Sequence, residues 1–121
     1  MERQATQEIL VRLKLIGSIE AADSSGNNVL PPSRKARALL SYLALNAGQW
    51  IPRARITRLL WDRVPEEQGR ASLRQALHEL SRAMGPVFPG IVETERERLA
   101  ARVIGEQVGG EKSVRLSSAE S

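Results

Sequence analysis

The chain has 121 residues, a length that fits one compact domain with its own hydrophobic core. Apolar residues make up 41% of the sequence and charged residues 26%, which is the composition of a folded globular protein. With no cysteine and one histidine, the sequence excludes disulfides, thiolate nucleophiles and multi-histidine metal sites. We find no catalytic acid–base pair and no phosphate loop, so we expect neither an enzyme nor a cofactor. The first residues lack the apolar core of a signal peptide, and no apolar stretch reaches the roughly 20 residues of a membrane span, so we expect a cytoplasmic protein without a membrane partner.

Positive charge is concentrated in the middle of the chain. The whole sequence has 18 Lys and Arg against 14 Asp and Glu, a net charge of +4. Residues 33–85 hold ten of these cations and four of the anions, so this segment carries +6 and the remainder −2. Such a basic segment is typical of a surface that binds a polyanion such as nucleic acid. The alternative interpretation is an Arg-rich composition that only decorates solvated helix faces.

The N-terminal part predicts a small antiparallel sheet after a tail at residues 1–8. Residues 9–16 alternate with a period of two and predict a strand that ends at Gly17. A second strand is predicted at 19–22, and the turn-forming residues 23–28 follow it. The better buried face of the first strand is expected to carry Ile9, Val11, Leu13 and Leu15.

Two helices are predicted next. Ser33 is placed to cap the start of the first helix, and Gly48 to stop it. After a single bridging strand at Trp50-Ile51, Pro52 fixes φ for the start of the second helix. The expected inward positions are Ala36, Leu39, Leu40 and Leu43 in the first helix and Ile56, Leu59 and Leu60 in the second, whose Arg53, Arg55 and Arg58 point largely outward.

The third predicted helix is the longest and extends from Pro65 to Gly85. Its core stripe consists of Leu73, Leu77, Leu80 and Met84. The opposite face carries Ala71, Arg74, Gln75, His78 and Arg82, with Arg70 and Glu79 at its edges. Arg can bond guanine bidentately, Gln can bond adenine, and Ala leaves room for the thymine methyl group, so this face is suited to reading bases. The alternative is the polar outer face of an ordinary amphipathic helix.

The C-terminal part predicts a hairpin and a tail. Strands are expected at residues 91–94 and 99–104, around a turn without the glycine or asparagine that tight turns prefer. Residues 105–121 are rich in Gly, Ser and Glu and predict a linker or flexible tail, with one short apolar alternation at Val114 and Leu116.

Three blocks of the sequence resemble the DNA-binding domain of the Streptomyces antibiotic regulatory protein family. The blocks are RKARALL at residues 34–40, LLWD at 59–62 and RASLRQALHELSRAMG at 70–85, in that order. The predicted elements also follow the layout of the OmpR/PhoB-type winged helix-turn-helix of two-component response regulators. The resemblance covers about residues 11–103. It implies an α+β winged helix-turn-helix domain over residues 9–104, with an N-terminal antiparallel sheet, three helices and a C-terminal β-hairpin wing.

The resemblance implies sequence-specific binding of double-stranded DNA in transcriptional regulation. The third helix would enter the major groove, and the wing would contact the backbone or the minor groove. RNA polymerase is a further implied partner, and members of the family often bind direct repeats as head-to-tail dimers. The DNA-contacting residues that the resemblance implies are Ser72, Arg74, Gln75 and His78 at the bases, Arg70, Arg82, Arg34 and Lys35 at phosphates, and Arg96 and Arg98 in the wing.

A second interpretation comes from the acidic residues of the wing. Glu93, Glu95 and Glu97 occupy alternate positions there and would repel DNA if they faced it. Family members commonly carry a helical activation domain after the winged helix, whereas this sequence stops, so we expect no activation by this polypeptide alone. The alternative function is therefore a winged-helix protein–protein interaction module that does not bind DNA.

Overall fold

The computed structural model describes residues 7–13, 19–23, 25–102 and 112–118. Within these ranges the chain is an α+β protein with three helices of two turns or more and two three-stranded antiparallel sheets. The helices are α1 (Arg34–Leu45), α2 (Arg53–Leu60) and α3 (Glu66–Met84), followed by a single turn, α4 (Phe88–Ile91). The strands are β1 (Gln7–Leu13), β2 (Ile19–Asp23), β3 (Ile51–Pro52), β4 (Val92–Thr94), β5 (Arg98–Ala101) and β6 (Lys112–Ser118). No helix in these ranges is both long and apolar enough to cross a membrane.

Strand β1 is the centre of the first sheet, between β2 and β6, and is antiparallel to both. Ile9 and Val11 lie on one face of β1 and are fully buried, as the period of two predicts. Leu116 of β6 lies opposite Ile9 in the register and is also fully buried. The predicted pairing of the first two strands is confirmed, and a third strand completes the sheet.

The prediction of a linker or flexible tail over residues 105–121 is wrong for residues 112–118, which form β6. The physical reason is that β6 pairs with the second edge of β1, where its backbone hydrogen bonds are satisfied and Leu116 enters the core. The predicted tail at residues 1–8 is too long, because Gln7 and Glu8 already belong to β1. The remainder of both predicted tails, and residues 14–17 of the predicted first strand, lie outside the described residues.

Helix α1 begins as predicted. The Oγ atom of Ser33 accepts a hydrogen bond from the N–H group of Ala36 at 3.2 Å and caps the helix. The helix ends at Leu45, three residues before Gly48, whose φ of +88° turns the chain toward β3. The predicted inward residues Ala36, Leu39, Leu40 and Leu43 are fully buried.

Helix α2 packs against α3, and Ile56 is fully buried as predicted. Leu59, which was expected to face inward, is instead 54% exposed. Thr57 occupies the buried position, with its hydroxyl group donating to the carbonyl oxygen of Ala54 at 3.0 Å. Because Thr57 faces α3 beside Gly69, Leu59 lies about 200° further around the helix and points away from the core.

Helix α3 confirms the predicted core stripe, since Leu73, Leu77, Leu80 and Met84 are at most 9% exposed. The helix ends at Met84 and is followed by Gly85, which has a φ of +72°. A side chain at that φ is strained, and the following proline cannot continue the helix, so the predicted stop at Gly85-Pro86 is confirmed. The stripe fixes the orientation of α3 and therefore which of its residues face outward.

The second sheet has the strand order β3-β5-β4 and contains the predicted hairpin. Both hairpin strands are shorter than predicted. Ile91 belongs to α4, because the N–H group of Val92 bonds back to the carbonyl oxygen of Phe88 and closes a helical turn. Strand β5 ends at Ala101, and residues 103–104 lie outside the described residues. The turn closes through an N–H group of Glu95 that donates to the carbonyl oxygen of Arg98 at 2.9 Å, without any positive φ.

Candidate nucleic-acid interface

The outer face of α3 is exposed and basic. Ala71, Arg74, Gln75, His78 and Arg82 are all exposed, as the helical period predicts. Among them Arg74, His78 and Arg82 form no hydrogen bond or ion pair with the described part of the chain. Ser72, which was also expected at the bases, is half-buried at the edge of this face.

Two of the predicted contact residues on α3 interact with a carboxylate one turn away. Arg70 forms an ion pair with Glu66 at 3.1 Å, and Nε2 of Gln75 donates to Oε2 of Glu79 at 3.3 Å. Contacts of this kind on an exposed helix surface contribute only about 0.2–0.5 kcal/mol each. Both side chains can therefore exchange these partners for a stronger ligand.

The start of α2 places Arg53 against the turn between β4 and β5. Its backbone N–H group donates to the carbonyl oxygen of Glu97 at 2.8 Å, and its Nε atom donates to the carbonyl oxygen of Glu95 at 2.9 Å. Burial, followed by the charge of Arg74, lowers the pKa of Arg53, whereas Glu97 raises it. The guanidinium groups of Arg53 and Arg74 are therefore electrostatic neighbours.

Arg53 was expected only as an outward cation of the second helix, and its contact with the hairpin turn was not predicted. The available signal was its position directly after Pro52, because the first residue of a helix has a free backbone N–H group that can bond to another element. Here that group continues the pairing of β3 with β5 and brings the side chain onto the hairpin. Arg53 is half-buried as a result.

Two of the three glutamates of the hairpin are paired with arginines. Glu93 pairs with Arg102 at 2.6 Å, and Glu95 pairs with Arg98 at 2.7 Å. The guanidinium of Arg98 also lies 4.3 Å from the ring centroid of Trp50. Arg98, a predicted DNA contact, is therefore engaged within the hairpin. Arg96 is exposed and forms no hydrogen bond or ion pair with described residues.

Arg34 and Lys35 form a second basic cluster at the start of α1. Nζ of Lys35 donates to the carbonyl oxygen of Leu60 and lies 5.8 Å from the ring centroid of Trp61. These contacts place Lys35 at the C-terminal end of α2, whereas Arg53 is at its N-terminal end. Eight residues of helix separate the two ends by about 12 Å. The structure therefore brings Arg53 and the hairpin turn together at the start of α2 and places Lys35 at the other end of that helix.

Among the residues that the structure describes, no group of three His, Asp or Glu side chains is arranged to hold a metal ion. Comparison of the chain with models of protein families, with curated proteins and with solved structures finds no match. The resemblance to the Streptomyces antibiotic regulatory proteins therefore stays a prediction.

Proposed function

We propose that this chain binds double-stranded DNA as a winged helix-turn-helix and acts in transcriptional regulation. In this proposal α2 and α3 form the helix-turn-helix, α3 enters the major groove, and the β4–β5 hairpin is the wing. The observation that carries the proposal is the exposed outer face of α3, on which Arg74, His78 and Arg82 have no partner in the described chain.

The dimensions and side chains of α3 support this proposal. An α-helix with its side chains is about 10–12 Å wide, and the major groove of B-DNA is about 12 Å wide. Arg74 presents a planar fork that matches guanine, and Gln75 presents an amide that matches adenine. From Ala71 to Arg82 the only acidic residue of the helix is Glu79, which is bonded to Gln75.

The surroundings of each cation favour different roles. The charge of Arg74 acts on Arg53 at the start of α2, and we assign Arg74 to the bases together with Gln75 and His78. Arg82 lies two turns further along α3, and we assign it to a phosphate. Phosphate contacts set the register of a protein on DNA, whereas base contacts determine sequence preference.

The hairpin contributes Arg96 to the proposed interface rather than Arg98. Arg98 is paired with Glu95 and stacked on Trp50, so its guanidinium is held within the hairpin, whereas Arg96 at the tip of the turn is unpaired within the described chain. The pairing of Glu93 and Glu95 with arginines also weakens the argument that an acidic hairpin repels DNA. DNA binding is therefore favoured over the protein–protein interaction module.

The test is a selection of preferred duplexes followed by binding titrations at several salt concentrations. With ~4 to 6 phosphate contacts, the logarithm of the association constant should fall with the logarithm of salt concentration at a slope of about 4 to 5. Scrambled duplexes should bind more weakly at every salt concentration. Affinity that does not depend on salt, or no binding at low salt, would contradict the proposal.

A further inference from the structure

Arg53 joins the β4–β5 hairpin to the start of α2, the helix that packs against α3. We infer that Arg53 is a positioning residue that fixes the hairpin turn relative to α3, so that Arg96 and Arg74 reach the same DNA duplex together. This inference rests on the proposed DNA binding. It adds a specific role for a residue that lies behind the interface rather than on it.

The contacts of Arg53 with the turn are of two kinds. The backbone N–H group bonds to the carbonyl oxygen of Glu97 and belongs to the pairing of β3 with β5, so it survives substitution of the side chain. The Nε atom bonds to the carbonyl oxygen of Glu95, 42 residues away in the sequence. A substitution at position 53 therefore removes the second contact and leaves the first in place.

The hairpin needs such a contact because its own strands are short. An isolated two-stranded hairpin is marginally stable in water, and here β4 has three residues, β5 has four and the third strand, β3, adds only two. Inside the turn, Glu95 bonds to the backbone and side chain of Arg98, and Arg98 stacks on Trp50. These bonds define the shape of the turn. The hydrogen bond from Arg53 to Glu95 connects the turn to the start of α2.

The helix that begins at Arg53 packs against α3, where Thr57 lies beside Gly69, and the charge of Arg74 on α3 lowers the pKa of Arg53. Repulsion between the two guanidinium groups decreases when an anion lies near both of them. Binding of a DNA phosphate that lies near both Arg53 and Arg74 would therefore be favoured. Through Arg53, the contributions of Arg96 and Arg74 to DNA binding become coupled.

The experiment is a double-mutant cycle with Arg96→Ala in three backgrounds: wild type, Arg53→Met and Arg55→Met. Methionine keeps the apolar stem and removes the donors. Arg55→Met is the matched control, because Arg55 is an exposed cation of α2 without a hydrogen bond or ion pair in the described chain. Arg96→Ala should lower the salt slope of duplex binding by about 1 in the wild type and in Arg55→Met, but by much less in Arg53→Met. An equal decrease in all three backgrounds would overturn the inference.

A second measurement does not depend on DNA. Amide hydrogen exchange of Glu95 and Leu99 in the free protein should be about three- to tenfold faster in Arg53→Met than in Arg55→Met, with α1 unchanged, because one hydrogen bond to the turn is lost. Unchanged exchange in the hairpin would overturn the inference. If Arg53→Met does not fold, Arg53→Ala, which also lacks a side-chain donor, replaces it in both measurements, with Arg55→Ala as its control. If the wild type binds no duplex, the proposed function fails, and hydrogen exchange alone decides whether Arg53 positions the hairpin.

Discussion

At the scale of single residues, Arg74 and Arg82 share one face of α3 but differ in their surroundings. We expect Arg74→Ala to lose about 1–3 kcal/mol of binding free energy on the preferred duplex and to reduce discrimination at one or two base pairs, because it removes a bidentate base contact. We expect Arg82→Ala to weaken all duplexes alike and to lower the salt slope by about 1, because it removes a phosphate contact.

Titrations of specific and scrambled duplexes at several salt concentrations distinguish these two effects. Each variant is the control for the other, since both substitutions remove one exposed arginine from the same helix. Equal weakening of both duplexes by Arg74→Ala would show that Arg74 contacts only phosphate, and the assignment of the base-reading face would be wrong.

Burial along α3 could be predicted residue by residue, whereas the partners of the arginines could not. The period of 3.6 residues determines which side chains face inward once a helix forms, so the stripe from Leu73 to Met84 follows from spacing alone. The bond of Arg53 to Glu95 and the stacking of Arg98 on Trp50 depend on how separate elements pack. Leu59 was wrongly expected inside because its helix has only eight residues, too few for spacing to define one face.

At the scale of elements, the contact between α2 and α3 leads to a prediction at Gly69. A β-carbon added there would lie 3.6 Å from the β-carbons of Thr57 and Trp61, which is ordinary van der Waals contact. Gly69→Ala should therefore stabilise the protein by about 0.5–1 kcal/mol, because alanine is the better helix former. Chemical denaturation measures this change in the free energy of unfolding.

Gly85→Ala is the matched control for Gly69→Ala. Gly85 has open space around it but a φ of +72°, so its substitution should destabilise the protein by about 1–2 kcal/mol through backbone strain. If Gly69→Ala were the more destabilising of the two, the packing of α2 on α3 would be tighter than the structure shows.

The helices could be predicted as elements because their end signals are local. Ser33, Pro52, Pro65 and Gly85 each lie at a helix end in the structure. Strand β6 has no such signal. Its segment is rich in serine, and the alternation of Val114 and Leu116 predicts a strand only when the partner edge on β1 is known.

At the scale of the whole molecule, the sheet that contains β6 joins the two ends of the described chain. Leu116 is fully buried, so Leu116→Ala should lower the free energy of unfolding by about 2–5 kcal/mol. Leu45→Ala is the control, because Leu45 is 50% exposed and its removal should change stability by less than about 0.5 kcal/mol. Equal melting midpoints of the two variants would indicate that residues 112–118 do not complete the core.

The pairing of Gln7 with Ser118 also has a consequence for how the protein folds. Closing a loop of roughly 100 residues costs more conformational entropy than forming a helix or a hairpin, and structures with such non-local contacts fold slowly. The three helices and the β4–β5 hairpin can form from neighbouring residues, but one edge of β1 must wait for a segment that lies roughly 100 residues further along the chain. During synthesis on the ribosome, β1 therefore has an unpaired edge until residues 112–118 have emerged, and in that interval it is open to pairing with other chains.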